Sequence, residues 1–138
     1  MPFTVAVLDE AGYSRLDAER ATKLCAAALC SRGFDVERVG EVSVALVEPD
    51  VIRDLNLRFR GKDEPTDVLS FVLDGPYGEM VGEVVICPAC ASPEMDIGEL
   101  VAHGALHLSG MDHGEDFEEG EMARVQKAVM RAVRDAEG

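Results

Sequence analysis

All three histidines of the 138-residue chain lie within one stretch of eleven residues, 103–113, which reads HGALHLSGMDH. On an α-helix, side chains at positions i and i+4 lie on the same face, one turn apart. His103 and His107 can therefore direct their rings to one point. Gly110 can end the helix, because glycine adopts the left-handed backbone conformation without steric cost. The chain can then turn back and bring His113 to the same point.

Three neutral imidazoles that converge on one point form a site for zinc or a similar divalent metal. Structural zinc sites usually fill four positions with Cys and His, whereas catalytic sites use three protein ligands and keep one position for water. The stretch offers His103, His107 and His113 and no evident fourth ligand. We therefore predict one catalytic zinc ion, held by a helix in the C-terminal half of the chain and the loop after it. The alternative of three unrelated histidines fits this spacing poorly.

The same spacing suggests a zinc peptidase as a first hypothesis. The elongated signature of these enzymes has His at its first, fifth and eleventh positions and Gly at its eighth. Their general base is a Glu directly after the first His. In this chain Gly104 occupies that position and has no side chain for acid–base chemistry. The sequence therefore favours a metal hydrolase of another kind.

The composition is that of a globular domain, with 47% hydrophobic and 29% charged residues. We expect a single domain over residues 1–138 with a sizeable core. No apolar run could cross a bilayer, and the first residues lack the basic segment of a secretory signal, so we expect a cytoplasmic protein without membrane contact. A net charge of −14 disfavours unspecific binding to nucleic acid. Arg53, Arg58, Arg60 and Lys62 form the one dense basic cluster before the C-terminus.

Four cysteines are present, Cys25, Cys30, Cys87 and Cys90. In a chain without an export signal we expect them to stay reduced. Cys87 and Cys90 have the C-x-x-C spacing of redox motifs and zinc knuckles, but a second such pair is missing. We interpret all four as small buried hydrophobic residues. The alternative is a second, structural metal at Cys87 and Cys90.

The hydrophobic pattern predicts an α+β domain, with about four strands in a mixed sheet and four to five helices. The predicted strands are residues 3–8, 41–47, 67–73 and 81–87. The second is central, because it is apolar on both faces, and the last two could pair as a hairpin. The predicted helices are residues 14–32, capped by Ser14, a short helix from Pro49 to Gly61, residues 94–109 and residues 117–134.

Two stretches together resemble a known family. Residues 103–113 look like the H-G-x-L-H-L-x-G-x-D-H signature of the YbeY-type endoribonucleases, which are bacterial rRNA maturation factors. Residues 55–71, LNLRFRGKDEPTDVLSF, are similar to the second signature of that family, L-N-x-x-Y/F-R-x-x-D-x-P-T-D-V-L-S-F. The order and the separation of the two blocks match as well.

The resemblance implies a zinc-dependent, single-strand-directed endoribonuclease that acts in 16S rRNA 3′-end maturation and ribosome quality control. It implies that His103, His107 and His113 hold the zinc. We expect His107 and Arg60 to be the catalytic residues. Arg60 matches the motif arginine that is linked to activity, and with Lys62 it would bind the substrate. The implied partners are single-stranded RNA, ribosomal RNA in particular, and proteins associated with the ribosome.

The implied chemistry is metal-assisted hydrolysis of a phosphodiester. Zinc bound by three imidazoles lowers the pKa of its water to about 7 and can polarise a phosphoryl oxygen. Arg60 suits the charge that develops on phosphate, because a guanidinium offers two parallel donors to two oxygens. The alternative for Arg60 is a surface ion pair with Asp63 or Glu64.

The general base is not identified by the sequence. Asp112 lies beside a predicted ligand, and such a carboxylate more often orients the histidine ring than accepts a proton from substrate. Asp67 and Glu83 are weaker candidates. Two departures from the family pattern concern the cleft wall: Gly82 is followed by Glu83 where the family has Asp, and the segment 88–97 is short.

Two other classes of function remain as alternatives. One is a non-catalytic ribosome-associated factor in which zinc stabilises the fold and the basic cluster docks on RNA. The other is a metallopeptidase, which the histidine spacing supports and Gly104 opposes.

Overall fold

The computed structural model describes residues 3–13, 16–111 and 120–137. Four strands form one mixed sheet with the order β1-β2-β4-β3. The strands are β1 (Val5–Asp9), β2 (Val42–Leu46), β3 (Val68–Asp74) and β4 (Met80–Ile86). The α-helices of the described residues are α1 (Ala18–Ser31), α2 (Pro49–Arg60), α3 (Ile97–Leu108) and α4 (Glu121–Glu137). The predicted α+β fold with a four-stranded mixed sheet is confirmed.

The sheet has one antiparallel edge. β1, β2 and β4 run parallel to one another, and β3 pairs antiparallel with β4. The predicted hairpin and the predicted central position of the second strand are both confirmed. β3 is therefore an edge strand, and helices can pack against it from both faces of the sheet.

Each face of the sheet has its own hydrophobic cluster, because side chains alternate between the faces along a strand. Val44 and Val84 pack with the apolar residues of α1, α3 and α4. Their neighbours Ala45 and Val85 point to the other face and pack with Ile52 of α2. Thus α2 lies on one face, α1 and α3 lie on the other, and α4 packs on α1 and α3.

Gly104 lets α3 lie close to the sheet. A Cβ atom at this position would stand 2.4 Å from Val84 Cγ1 and 3.1 Å from Ser70 Oγ. The Ser70 hydroxyl donates a hydrogen bond to the Gly104 carbonyl oxygen at 2.9 Å. The glycine that removes the peptidase base from the sequence is therefore also the residue at which α3 contacts β3 and β4.

Three predicted helix starts differ from the observed ones. The helix predicted over residues 94–109 begins at Ile97. We predicted that the first helix begins at Ser14, which lies outside the described residues, but α1 begins at Ala18. Asp17 caps it, with an extended backbone and a carboxylate that accepts a hydrogen bond from Arg20 N at 2.7 Å. The last helix was predicted over residues 117–134, whereas α4 is assigned from Glu121 to Glu137.

Asp96 joins the start of α3 to α1. Its carboxylate accepts a hydrogen bond from Gly98 N at 2.9 Å and two from the Arg20 guanidinium at 2.7 and 3.1 Å. The hydrogen bond from Arg20 holds the pKa of Asp96 below its usual range. Asp96 thereby fixes the helix that carries His103 and His107.

Replacing Asp96 with alanine is expected to lower the free energy of unfolding by about 1–2 kcal/mol, because a helix cap and a partly exposed ion pair are both lost. Asp35→Ala, at the cap of the exposed 3-10 turn Val36–Arg38, is a matched control with a smaller expected loss. Because the pKa of Asp96 is lowered in the folded state, its contribution is present above the usual carboxyl pKa and is lost as pH falls through the lowered value. Urea unfolding over a pH series measures both effects. A loss that stays constant down to the most acidic conditions would contradict this role.

Candidate metal centre

His103 and His107 face each other on the one stripe of α3 that is not buried. The stripe is formed by Glu99, His103 and His107, each one turn from the next and each partly exposed. The two Nε2 atoms lie 3.1 Å apart, and the ring planes are inclined at 72°. Two nitrogens that each stand about 2.0–2.1 Å from a tetrahedral zinc ion are separated by about 3.3–3.4 Å. The pair therefore fits two positions of a zinc site with little adjustment.

The helix ends as the sequence predicted. Gly110 has a φ of 95°, and its N–H donates a hydrogen bond to the His107 carbonyl oxygen at 3.0 Å. The N–H of the next residue, Met111, donates to the Leu106 carbonyl oxygen at 3.1 Å. These two bonds form a Schellman motif, which turns the chain back immediately after the histidine pair. His113 and Asp112, the predicted third ligand and its neighbour, lie outside the described residues.

Gln126 of α4 is the second side chain at the pair. Its Oε1 atom lies 2.9 Å from Nδ1 of His103, on the side of the ring opposite to Nε2. Gln126 is buried, with 8% of its surface exposed, and a buried amide without a partner would be costly. An amide oxygen can only accept, so a hydrogen bond between these two atoms needs the His103 tautomer that carries its hydrogen on Nδ1.

The sequence analysis did not identify Gln126. The signal was a polar residue in the buried stripe of α4, which Met122, Val129 and Val133 otherwise make apolar. A polar residue where helical periodicity demands an apolar one marks a position with a specific hydrogen-bonding partner.

Arg60 and Lys62 are exposed at the end of α2 and just after it. Neither forms an ion pair or a hydrogen bond through its side chain within the described part of the chain. Asp63 instead binds Arg53, with 2.8 Å between Arg53 Nε and Asp63 Oδ1, and this bond lowers the pKa of Asp63. The alternative in which Arg60 forms a surface ion pair with Asp63 or Glu64 is therefore not seen among the described residues.

The edge strand β3 connects the arginine end of α2 to the histidine helix. Phe71 packs against Phe59 of α2, with ring centroids 5.1 Å apart. The preceding residue, Ser70, points to the other face and binds Gly104 of α3. Phe59 precedes Arg60, and Gly104 follows His103. Arg60 and the histidine pair thus border the same edge strand from opposite faces, without a direct hydrogen bond between them in the described residues.

Comparison with known proteins decides the family. A model of the family "Endoribonuclease YbeY" matches residues 9–134. The chain is 72% identical, over 135 residues, to the endoribonuclease YbeY of Rubrobacter xylanophilus, with 97% of this chain and 98% of the relative covered. The chain belongs to the endoribonuclease YbeY family. The predicted family and the predicted enzyme class, a nuclease, are both confirmed.

More distant relatives agree with this assignment. The endoribonuclease YbeY of Frankia casuarinae is 37% identical over 147 residues, with 91% of this chain and 72% of the relative covered. The solution structure of TM1509 from Thermotoga maritima is similar to the fold, with a TM-score of 0.57 and 31% identity over 96% of this chain and 90% of that one. This YbeY family member has no helix, in the part of the chain that is described, long and apolar enough to span a bilayer.

One of the candidate bases, Glu83, lies away from the histidine pair of this YbeY family member. Glu83 points to the face of the sheet opposite to α3 and, with Glu41, Phe59 and Phe71, lines a groove of about 930 Å³. The Asp67 carboxylate accepts a hydrogen bond from Thr66 at 3.5 Å. Neither carboxylate forms a hydrogen bond to a histidine within the described residues.

The cysteines form no evident second metal site. Cys25 and Cys87 are buried as predicted and Cys90 is half-buried, but Cys30 is exposed, because it lies on the outer face of α1. Burial raises the pKa of Cys25 to about 12 and that of Cys87 to about 11, so both remain thiols at neutral pH. Among residues 3–13, 16–111 and 120–137, no group of three or more His, Cys, Asp or Glu side chains is arranged to hold a metal. His113 is not among them.

Proposed function

We propose that this YbeY family member is a zinc-dependent endoribonuclease that cleaves single-stranded RNA and acts in 16S rRNA 3′-end maturation and ribosome quality control in the cytoplasm. The supporting observation is the 3.1 Å separation of the His103 and His107 Nε2 atoms on the uncovered stripe of α3. In a nuclease family, two converging imidazoles are best explained as part of the reactive centre.

The ligands in this proposal are His103, His107 and, from outside the described residues, His113. Zinc, when bound, lowers the pKa of a coordinated water to about 7 and polarises phosphoryl oxygens. The chain itself brings the two Nε2 atoms to 3.1 Å from each other, holds His103 through Gln126 and ends α3 directly after His107. Asp112 is proposed to orient a ligand ring rather than to act as the general base.

Arg60 and Lys62 are proposed to bind the phosphates of the RNA. Both cations lack a side-chain partner in the described residues, so they can bind a phosphate without first breaking an ion pair. The guanidinium of Arg60 offers two parallel donors, which match two phosphate oxygens. Their positive charge would attract RNA locally, although the net charge of the whole chain, −14, repels it.

The position of β3 suggests why a single strand would be preferred. An RNA strand that contacts Arg60 on one face of the sheet and the histidine pair on the other must bend around the edge strand. A nucleic-acid duplex resists bending over such short lengths, whereas an unpaired strand does not. A duplex that presents the same sequence should therefore be a poor substrate.

Replacing Arg60 with alanine is expected to lower kcat/KM for single-stranded RNA by about 10- to 100-fold, as expected for a lost charge-assisted hydrogen bond of about 1.5–3 kcal/mol. Zinc content should not change, because Arg60 does not contact the histidines. Arg58→Ala is the matched control: Arg58 is also exposed in the last turn of α2 but is paired with Asp54 at 3.1 Å. Cleavage of an end-labelled oligonucleotide measures the effect. Equal losses in the two variants, or none in Arg60→Ala, would remove Arg60 from the substrate site.

The proposal as a whole is tested with the zinc-loaded protein and one RNA sequence, supplied unpaired and annealed to its complement. We expect cleavage of the unpaired strand and little cleavage of the duplex. Equal cleavage of both would contradict single-strand preference. Ribosome binding without cleavage of either would favour the non-catalytic, zinc-stabilised ribosome-associated factor, and turnover of a peptide panel would favour the metallopeptidase.

A further inference from the structure

We infer that Gln126 is a positioning residue of the metal centre: its side-chain oxygen selects the tautomer of His103 that presents an Nε2 lone pair beside His107. The inference rests on the proposed function, because it concerns the same histidine pair. In this inference α4, which contributes no predicted metal ligand, supplies the residue that orients His103.

The first support is burial. Gln126 and Asn56 are the two buried polar side chains among the described residues. Asn56 donates to the Glu64 carbonyl oxygen and thereby holds the loop after α2. Gln126 binds His103, although it lies in the same buried stripe as Met122, Val129 and Val133, where an apolar side chain would pack well. A buried amide at such a place is stabilising only through its hydrogen bond.

The second support is the direction of the hydrogen bond. A neutral imidazole carries one N–H, and the nitrogen without hydrogen is the one that can bind a metal. An oxygen acceptor at Nδ1 requires the hydrogen on Nδ1 and so places the lone pair on Nε2, the nitrogen that faces His107. Metal-binding histidines usually donate their other N–H to such an acceptor, and its removal typically lowers metal affinity about 10- to 100-fold.

The third support is the geometry of the pair. His103 is held on both sides of its ring, by Gln126 at 2.9 Å and by His107 at 3.1 Å. The ring therefore has little freedom to rotate away from His107. An apolar residue at position 126 would fill the space without fixing either the ring angle or the tautomer.

The test uses two substitutions at one position and a packing control on the same helix face. Gln126→Leu keeps the volume and removes the acceptor, whereas Gln126→Glu keeps an acceptor at Nδ1. Val133→Ala removes buried apolar contacts two turns further along α4 and leaves Gln126 intact. Zinc affinity is measured by competition with a chromophoric chelator. The tautomer of His103 is measured in the metal-free protein by imidazole ¹⁵N NMR, with only three histidines to assign.

We expect His103 in the Nδ1–H form in the parent, and loss of that preference in Gln126→Leu. Zinc affinity should fall about 10- to 100-fold in Gln126→Leu, and Gln126→Glu should restore it to within a few-fold of the parent. Val133→Ala should lower Tm without changing the tautomer or the affinity.

An unchanged tautomer and unchanged affinity in Gln126→Leu would overturn the inference, and so would an equal loss of affinity in Val133→Ala. If the parent binds no zinc, the proposed function fails, whereas the NMR measurement still decides whether Gln126 sets the tautomer. The two failures are therefore distinguishable.

Discussion

His107→Ala is expected to weaken zinc binding by about 100- to 1,000-fold. The free energy of zinc binding at structural sites with four ligands is about 10–16 kcal/mol. One ligand is therefore worth about 3–4 kcal/mol, and we apply this value to His107. The fold should survive, because His107 lies on the partly exposed stripe of α3 and contributes little to the core. A chelator competition gives the affinity, and circular dichroism reports the fold.

Glu99→Ala is the matched control for His107→Ala. Glu99 lies on the same stripe of α3, two turns before His107, and is also partly exposed. We expect this variant to bind zinc as the parent does. If His107→Ala retained the affinity of the parent, the histidine pair would not be a metal site, and its 3.1 Å separation would reflect packing alone.

Gly104→Ala is expected to lower the free energy of unfolding by about 2–4 kcal/mol. The added Cβ would stand 2.4 Å from Cγ1 of Val84, a residue of the inner strand β4. Helix α3 must therefore move away from β3 and β4. Overpacking of this kind typically costs about 1–3 kcal/mol, and the Ser70 hydrogen bond adds about 1 kcal/mol if it breaks. Urea unfolding measures the loss.

The contact with Val84 can be isolated by a double-mutant cycle. In a Val84→Ala background, both Cγ atoms are gone and the new methyl group has room. Gly104→Ala should then be much less destabilising than in the parent. Additive losses in the two backgrounds would show that the glycine serves another purpose than close packing.

The features that the sequence predicted well are those that depend on neighbours along the chain. The i, i+4 spacing of His103 and His107 needs only a helix to bring the two rings together, and the glycine that ends this helix acts within two residues of His107. The strands were predictable because alternation and valine-rich runs are also local. The order of the strands agrees with two of these patterns, because the strand that is apolar on both faces is an inner strand and the last two strands pair as a hairpin.

The features that the sequence did not predict depend on how elements pack. Gln126 could be linked to His103 only when α4 was known to lie on α3. In the sequence, Gly104 was notable only because it replaces the general base of a peptidase. The structure shows that it lies where α3 contacts β3 and β4. Asp63 forms its ion pair with Arg53 and not with Arg60, and this depends on the path of the loop after α2.

The start of α1 is an intermediate case. Ser14 and Asp17 are both good helix caps three residues apart, and the hydrophobic pattern does not choose between them. Asp17 caps the helix by binding Arg20 N, while the Arg20 side chain extends to Asp96 at the start of α3. The boundary is thus tied to a contact between helices that are distant in the sequence.

The most direct test of the account is the rate of single-stranded RNA cleavage as a function of zinc occupancy. Metal-free protein is titrated with zinc, and bound zinc and initial rate are measured on the same samples, with His107→Ala purified in parallel as a control for contaminating nuclease. We predict a rate that rises in proportion to bound zinc, reaches its limit at one zinc per chain and is absent in His107→Ala. A rate that is independent of zinc in the parent while the variant stays inactive, or a parent that binds one zinc and cleaves no RNA, would contradict a catalytic zinc centre at His103 and His107.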